Sequence, residues 1–458
     1  MTKPGSTAAL TIVVIVALAA ALVLLDRPPA PLPEDAPEGV FSAARAMAHV
    51  ERVAERPHPT GSADNARVRE YLAGVLGSMG HRVERQRAVA IQAGRGVRAA
   101  RVENLMVRVP GTRSTGAVLF ASHYDSVPAG PGASDDASAV AVLVETLRAL
   151  RALPPAANDL IFLFTDAEEY GLLGATAFVD QHPWLKDVRV AINFEARGTR
   201  GPSLMFETGP GNGPLVREWA QAVPRPAGAS FTDAVYKRMP NDTDFSEFKR
   251  HGIAGLNFAF IDDWARYHTP RDDVDALDRG SLQHHGEAAL GLARRLGAID
   301  LATLQGSDAV YFSVPGAGLV VRYPVGWALP FAVLAIVVFV AAVVRARRQA
   351  SVHLGGLVLA IVIHLGFVAL AGFLGFRFAR WIAAAHHGWL GRGDAAMSAA
   401  YAVVLMAAVA SVWLALHTLL RKRFAGRTLA LSGAFLLAGG AVASAWFLPG
   451  TSYVPLWP

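Results

Sequence analysis

Acids and histidines follow directly on short apolar runs at several points of this 458-residue sequence. AVLFAS at 117–122 leads into His123-Tyr124-Asp125-Ser126, DLIFLFT at 159–165 into Asp166-Ala167-Glu168-Glu169, and RVAINF at 189–194 into Glu195. Between the first two lies Gly132-Ala133-Ser134-Asp135-Asp136-Ala137-Ser138, and Tyr267-His268-Thr269-Pro270 follows a fourth run, AGLNFAF at 254–260. His123 and Asp125 stand two apart at a strand end, so on a continuing strand they share a face and the carboxylate can accept the ring N–H, as in oriented metal-ligating histidines. Alone, such a pair is more often structural. Adjacent acids at Asp135-Asp136 repel when buried unless a cation neutralises them; a helix N-cap accounts for one acid, not both. At Glu168-Glu169 helix-dipole pairing is one reading; the other gives one carboxylate to a metal and the other to general base catalysis. Glu195 ends an apolar strand, where an uncompensated carboxylate is costly.

His123, Asp135, Glu169, Glu195 and His268 are five hard or borderline ligands in separate loops, enough for two metal ions sharing one carboxylate around an activated water. Cysteine is absent, so disulfide and thiolate chemistry are excluded, and a nitrogen-plus-carboxylate set suits zinc best.

The elements that must position these residues read as a mostly parallel α/β sheet covered by helices on both faces. The four apolar runs are buried strands, and helical patterns fall at about 64–79, 136–152, 169–179, 212–222, 245–251 and 280–297. In such folds ligands collect at the carboxyl ends of strands, where the candidate residues stand. No internal repeat competes with this reading.

Only 17% of residues are charged against 53% hydrophobic, and the deficit is concentrated at 8–25 and 327–448. These segments predict an N-terminal transmembrane anchor within 1–26 and spans at about 327–344, 353–376, 398–420 and 428–447, which excludes a purely soluble protein. The expected organisation is anchor, Pro-rich linker at 27–38, catalytic domain at 39–300, membrane-proximal β-hairpin at 301–326, four-helix membrane region at 327–448 and tail at 449–458. Arg345, Arg347 and Arg348, and Arg421, Lys422, Arg423 and Arg427, fall inside under the positive-inside rule if Lys3 does, which puts the middle domain outside the cytoplasm of a cell membrane. Arg377, Arg380 and Arg392 in the expected loop at 377–397 conflict with that count unless an interfacial helix holds them. The basic balance fits membrane topology, so no nucleic-acid partner is expected.

Residues 40–300 resemble the co-catalytic zinc exopeptidase family of leucyl aminopeptidase, glutamate carboxypeptidase and glutaminyl cyclase. Within it they are most similar to the membrane-bound branch of endoplasmic-reticulum metallopeptidase and vacuolar membrane protease. The resemblance is carried by RPHPTGSADN (56–65), SHYDSVPAGPGASDDASA (122–139), FTDAEEYGLLGA (164–175), NFEARG (193–198), PNDTDFSEF (240–248) and YHTPRDD (267–273). It implies two zinc ions per chain bridged by Asp135, one completed by His123 and Glu195 and the other by Glu169 and His268. It also implies Glu168 as general base, Asp125 as the orienter of His123, a cis Asp135–Asp136 bond, and peptide substrates. The chain departs from soluble relatives in carrying Glu195 where Asp is common, and from the eukaryotic membrane branch in having fewer spans.

The resemblance favours an aminopeptidase. A glutaminyl cyclase is disfavoured by the intact double Asp, a non-catalytic receptor by the complete ligand set, and a transporter by spans almost free of charge. Asp242 and Asp244 either line the pocket or cap a helix, and Tyr267 either donates to an oxyanion or packs. His364 reads as an interhelical hydrogen bond, and His58, His81, His182, His251, His284 and His285 as surface or packing residues.

Overall fold

The computed structural model describes residues 14, 17, 25–93, 96–385 and 398–456. Apart from isolated positions, the expected N-terminal anchor lies outside them. The chain divides into two units, Met1–Tyr323 and Pro324–Pro458.

The first unit is built on an eight-stranded mixed sheet ordered β1-β2-β4-β3-β5-β8-β6-β7. Its strands are β1 (Val83–Ala93), β2 (Val97–Val109), β3 (Ala117–His123), β4 (Asp159–Thr165), β5 (Val188–Ala196), β6 (Leu204–Thr208), β7 (Ala227–Gly228) and β8 (Ala254–Phe260). The four expected strands are β3, β4, β5 and β8, and these alone form the parallel centre of the sheet. Strands β1 and β2 pair antiparallel with each other and β2 antiparallel with β4, while β6 runs antiparallel to β8. A separate hairpin joins β9 (Ala309–Val314) to β10 (Leu319–Pro324).

Among the described residues this unit has the α-helices α1 (Ala43–Val53), α2 (Ala63–Ser78), α3 (Ala139–Leu150), α4 (Leu173–Gln181), α5 (Gly213–Ala222), α6 (Ser230–Tyr236), α7 (Asp244–Arg250) and α8 (Arg279–Ala298). All six expected helices are present; α1 and α6 are additional. Side-chain alternation along the central strands explains the two-sided cover. Val118, Phe120, Leu160, Phe162, Phe164, Val190 and Ile192 face the large core under α1, α2, α3, α5 and α8. Leu119, Ala121, Ile161, Leu163 and Ala191 face a second core capped by Phe178 of α4 and by Phe245 and Phe248 of α7. The Phe120–Phe162 and Phe194–Phe258 rings stack across neighbouring strands, with centroids 5.2 Å apart in both pairs. This packing fixes the strand ends on which the polar residues stand.

The second unit holds α9 (Ala328–Arg348), α10 (Leu354–Ala385), α11 (Ser398–Leu420) and α12 (Gly426–Phe447). All four are long and apolar enough to cross a membrane. Helix α10 runs on to Ala385 and carries Arg377 and Arg380 in its last turns, where a loop was expected from residue 377; residues 386–397 lie outside the described ones. His364 of α10 is buried, and its Nδ1 meets Ser432 Oγ of α12 at 2.7 Å, an interhelical hydrogen bond as expected.

His284 and His285 on α8 are both buried, His285 against Phe194 and Phe260 with Ser203 Oγ at 2.7 Å from its Nδ1. Burial, then the neighbouring His284, pushes the His285 imidazole down to about 3. The folded state therefore binds fewer protons than the unfolded chain below pH about 6.5, and stability is lost as pH falls from there toward 3, by up to about 1.4 kcal/mol per pH unit. Thermal midpoints measured from pH 6.5 to 4.5 should fall more steeply for wild type than for His285→Gln. Parallel curves would contradict the assignment.

Candidate metal centre

The polar cluster gathers at the carboxyl ends of β3, β4, β5 and β8. His123 closes β3, Glu195 stands next to the end of β5, Glu168 and Glu169 follow β4, and His268 sits in the loop after β8. Asp135 comes from a turn at Ala133–Ser138 between β3 and α3, with φ −111° and ψ 88°, and the Asp135–Asp136 peptide bond is cis. Gly132 enters this turn at φ 65°, and a Cβ there would come within 2.3 Å of the Asp135 carbonyl oxygen, so only glycine fits. Ala167, at φ 61°, and His268, at φ 57°, also occupy the left-handed region, which non-glycine residues adopt at a cost that surrounding contacts must offset.

Those contacts converge on two buried carboxylates. Asp125 Oδ1 accepts the Glu168 N–H at 3.0 Å and Oδ2 the Glu169 N–H at 3.3 Å, fixing the turn that carries both glutamates. Thr60 donates to Asp125 Oδ2 and Asp166 Oδ1, both at 3.2 Å. Asp272 plays the same part for the other loop, accepting the Ser134 N–H at 2.9 Å and the Asp135 N–H at 3.1 Å. The resemblance implies that Asp125 orients the His123 ring. In the structure His123 Nδ1 lies 2.9 Å from the backbone carbonyl of Asp125 and 3.5 Å from its carboxylate, which is committed mainly to the glutamate turn. Asp272 was not singled out, although it lies inside YHTPRDD; its role depends on the fold bringing that loop beside residue 134.

All five expected ligands come together. Asp135 Oδ1 is 3.1 Å from His123 Nε2, and Oδ2 is 3.1 Å from His268 Nε2. His123 Nε2 also approaches Glu195 Oε2 at 3.6 Å, and His268 Nε2 approaches Glu169 Oε1 at 3.0 Å. Two triads result, His123–Asp135–Glu195 and Asp135–Glu169–His268, each with ligand atoms within 4.8 Å of one another. Asp135 Oδ2, Glu169 Oε1 and His268 Nε2 are buried and make no properly directed hydrogen bond despite their closeness. Buried polar atoms that converge without bonding one another fit a shared cation, and the nitrogen-and-oxygen donor set fits zinc.

The electrostatics agree with that fit. Burial raises the Glu168 carboxyl well above its ordinary range, with Glu195, Glu169 and Asp244 adding to it and His123 opposing. Burial and Asp135 lift Glu169 to about 7. Burial alone would lower the His268 imidazole, but Asp135 and Glu169 carry it to about 10, and Asp125, Asp135 and Glu195 raise His123 in the same way. Asp135 moves down instead: burial opposes this, but the two imidazoles beside it favour its charged form. A buried crowd of acids around two imidazoles is the arrangement that cations stabilise.

The residues left open now separate. Asp244, the first residue of α7, is buried, accepts from Thr165 Oγ1, and is pushed up to about 7 by burial and by Glu195 and Asp125 among its neighbours. It belongs to the floor of the site. Asp242 is exposed and accepts from Ser246 Oγ, a helix-end contact. Tyr267 lies flat on His268, with centroids 3.6 Å apart and Arg197 over its ring at 4.3 Å, so its aromatic face holds the His268 ring.

Residues 104–293, which include the five expected ligands, Asp125, Glu168 and Asp272, match the profile of Peptidase family M28. The chain carries an M28 domain. Endoplasmic reticulum metallopeptidase 1 of Rattus norvegicus is 32% identical over 311 residues, covering 63% of this chain and 34% of the relative. A vacuolar membrane protease of Candida albicans is 32% identical over 255 residues, covering 55% of this chain and 30% of the relative. This chain therefore spans about a third of the length of these curated relatives. Among solved structures, an aminopeptidase from Aneurinibacillus sp. strain AM-1 aligns with TM-score 0.46 and 15% identity over 56% of this chain and 94% of its own. Around the M28 site, Asp272→Ala removes the acceptor of two backbone N–H groups and should weaken zinc binding about 10- to 100-fold, read as metal retained against a graded chelator. Unchanged retention would show that Asp135 needs no such support.

Proposed function

We propose that the M28 domain is a two-zinc exopeptidase, an aminopeptidase that hydrolyses peptides outside the cytoplasm from a multi-pass chain in the cell membrane. The observation that carries this reading is Asp135, whose two carboxylate oxygens each face the Nε2 of a different histidine at 3.1 Å. His123, Asp135 and Glu195 would hold one ion, and Asp135, Glu169 and His268 the other. Bound there, zinc supplies Lewis acidity toward the scissile carbonyl and lowers the pKa of a water.

The chain's own residues supply the rest. Glu168 takes a proton from the attacking water and passes it to the leaving amine; burial raises its carboxyl, the direction that makes the carboxylate a stronger proton acceptor than an exposed one. Asp125 holds the Glu168 backbone so that the carboxylate stays aimed beside Glu169. Tyr267 and Arg197 hold the His268 ring. The peptide bond breaks, the water oxygen stays on the new carboxyl group, one water proton passes through Glu168 to the leaving amine and the other ends on the products as carboxylate plus ammonium, and Glu168 ends in its starting state.

Orientation is supported by the charges of the second unit. Basic residues at the end of α9 and between α11 and α12 fall on one side of four alternating spans, and Arg427 donates to Gln349 Oε1 at 3.0 Å, joining the two basic segments. With these segments cytoplasmic, the chain before α9 lies on the opposite side. Arg377 and Arg380, in the last turns of the long α10, have stems long enough for their charged ends to reach a headgroup layer.

Detergent-purified wild type should release N-terminal residues from free but not amino-blocked peptides. Glu168→Gln should retain its zinc while turnover falls about 10²- to 10⁴-fold. Pyroglutamate formed from N-terminal Gln without hydrolysis would support a cyclase instead, and retained turnover in Glu168→Gln would remove Glu168 from the mechanism.

A further inference from the structure

A row of buried polar side chains crosses three neighbouring strands on the face capped by α4 and α7, among otherwise apolar packing. Asn193 on β5 stands two residues before Glu195 and so shares its face of the sheet. Asn193 is in register with Asn257 of β8, and Asn257 with Glu207 of β6 across a local irregularity. All three are essentially inaccessible, at 0%, 0% and 1% exposure. Asn193 Nδ2 donates to Glu195 Oε1 at 3.3 Å and to Asn257 Oδ1 at 3.1 Å. Asn257 Nδ2 donates to Glu207 Oε2 at 3.0 Å and to Thr243 Oγ1 at 2.9 Å. Lys249 of α7 closes the row by pairing with Glu207.

We propose that this row positions Glu195 and thereby sets the metal affinity of the His123 triad independently of the His268 triad. Glutamate has one more rotatable bond than aspartate, so its carboxylate needs an added restraint to stay aimed. Asn193 supplies it by binding Oε1, which leaves Oε2 turned toward His123 Nε2 at 3.6 Å. Apolar side chains of similar volume would pack such a face without the desolvation penalty of buried amides and an ion pair. What the polar row adds is direction: each amide nitrogen donates to two fixed acceptors, and the ion pair at the far end anchors the series to α7. The other triad is held by different means, Glu169 through its N–H on Asp125 and His268 under Tyr267. No hydrogen bond among the described residues links Glu169 or His268 to the row, so the two supports act separately.

The inference rests on the two-zinc reading, and the experiment separates the two. Full-length protein in detergent is equilibrated with zinc across a chelator-buffered series, and bound zinc per chain is measured by elemental analysis alongside the elution profile. Wild type should bind two equivalents. Asn193→Leu should weaken one equivalent about 10- to 100-fold and leave the other unchanged. The same loss should appear in a His268→Ala background, where only the His123 triad remains complete. Asn257→Leu leaves every group touching Glu195 in place and should weaken the same equivalent to a smaller degree; it carries the test if Asn193→Leu yields no folded protein. Equal weakening of both equivalents, or of neither, in folded variants overturns the positioning role while the two-zinc reading stands. A wild type that binds a single equivalent overturns both.

Discussion

The first unit is organised around one carboxylate placed between two imidazoles. Asp135 is buried, and each of its oxygens meets a histidine from a different loop. A buried charge is tolerated only when its surroundings oppose it, so the position of Asp135 dictates where His123 and His268 must stand. Those two positions in turn dictate where Glu195 and Glu169 can lie. The cores on both sides of the sheet hold the ends of β3, β4, β5 and β8 rigid enough for loops of different origin to meet within hydrogen-bonding distances.

Loops alone would not hold that geometry. The turn bearing Glu168 and Glu169 passes through Ala167 in the left-handed region, and the turn bearing Asp135 needs Gly132 for the same kind of excursion. Each turn has one buried carboxylate collecting its backbone N–H groups: Asp125 for the first and Asp272 for the second. Neither acid needs to touch a substrate. Their function is to hold each turn in one conformation, which is how a site of many like charges keeps a single arrangement.

The parallel centre of the sheet was legible because strands buried on both faces read as unbroken apolar runs. Strands β1 and β2 were not, since Arg85 and Arg87 on β1 and Arg98 and Arg101 on β2 interrupt the apolar runs. The two-residue β7 is below what periodicity can register. Helix α1 has no strong apolar run, because Arg45, His49, Glu51 and Arg52 interrupt it, although Ser42 caps it and five of its residues are buried. At the site, residue types and their places made His123, Glu195, His268 and the acid pairs at 135–136 and 168–169 candidates, and the family resemblance gave Asp135 and Glu169 their roles within those pairs. Sequence could not show that the Asp125 carboxylate serves the glutamate turn more than the imidazole, nor that Asp272 and Asn193 matter. Those roles come from backbone N–H directions and cross-strand register, which exist only once the sheet is assembled.

The M28 domain shares its chain with four helices long and apolar enough to span a bilayer, and the chain's curated relatives are named as endoplasmic-reticulum and vacuolar membrane enzymes. Whether two ions share Asp135 decides how this site works. Zinc-edge X-ray absorption on the loaded, full-length protein tests this most directly. The account predicts a first shell of nitrogen and oxygen only, at about 2.0–2.2 Å, and a metal–metal vector at about 3.5–4 Å that disappears in Asp135→Asn. A zinc-loaded wild type with no metal–metal vector, or a vector that survives Asp135→Asn unchanged, would contradict it.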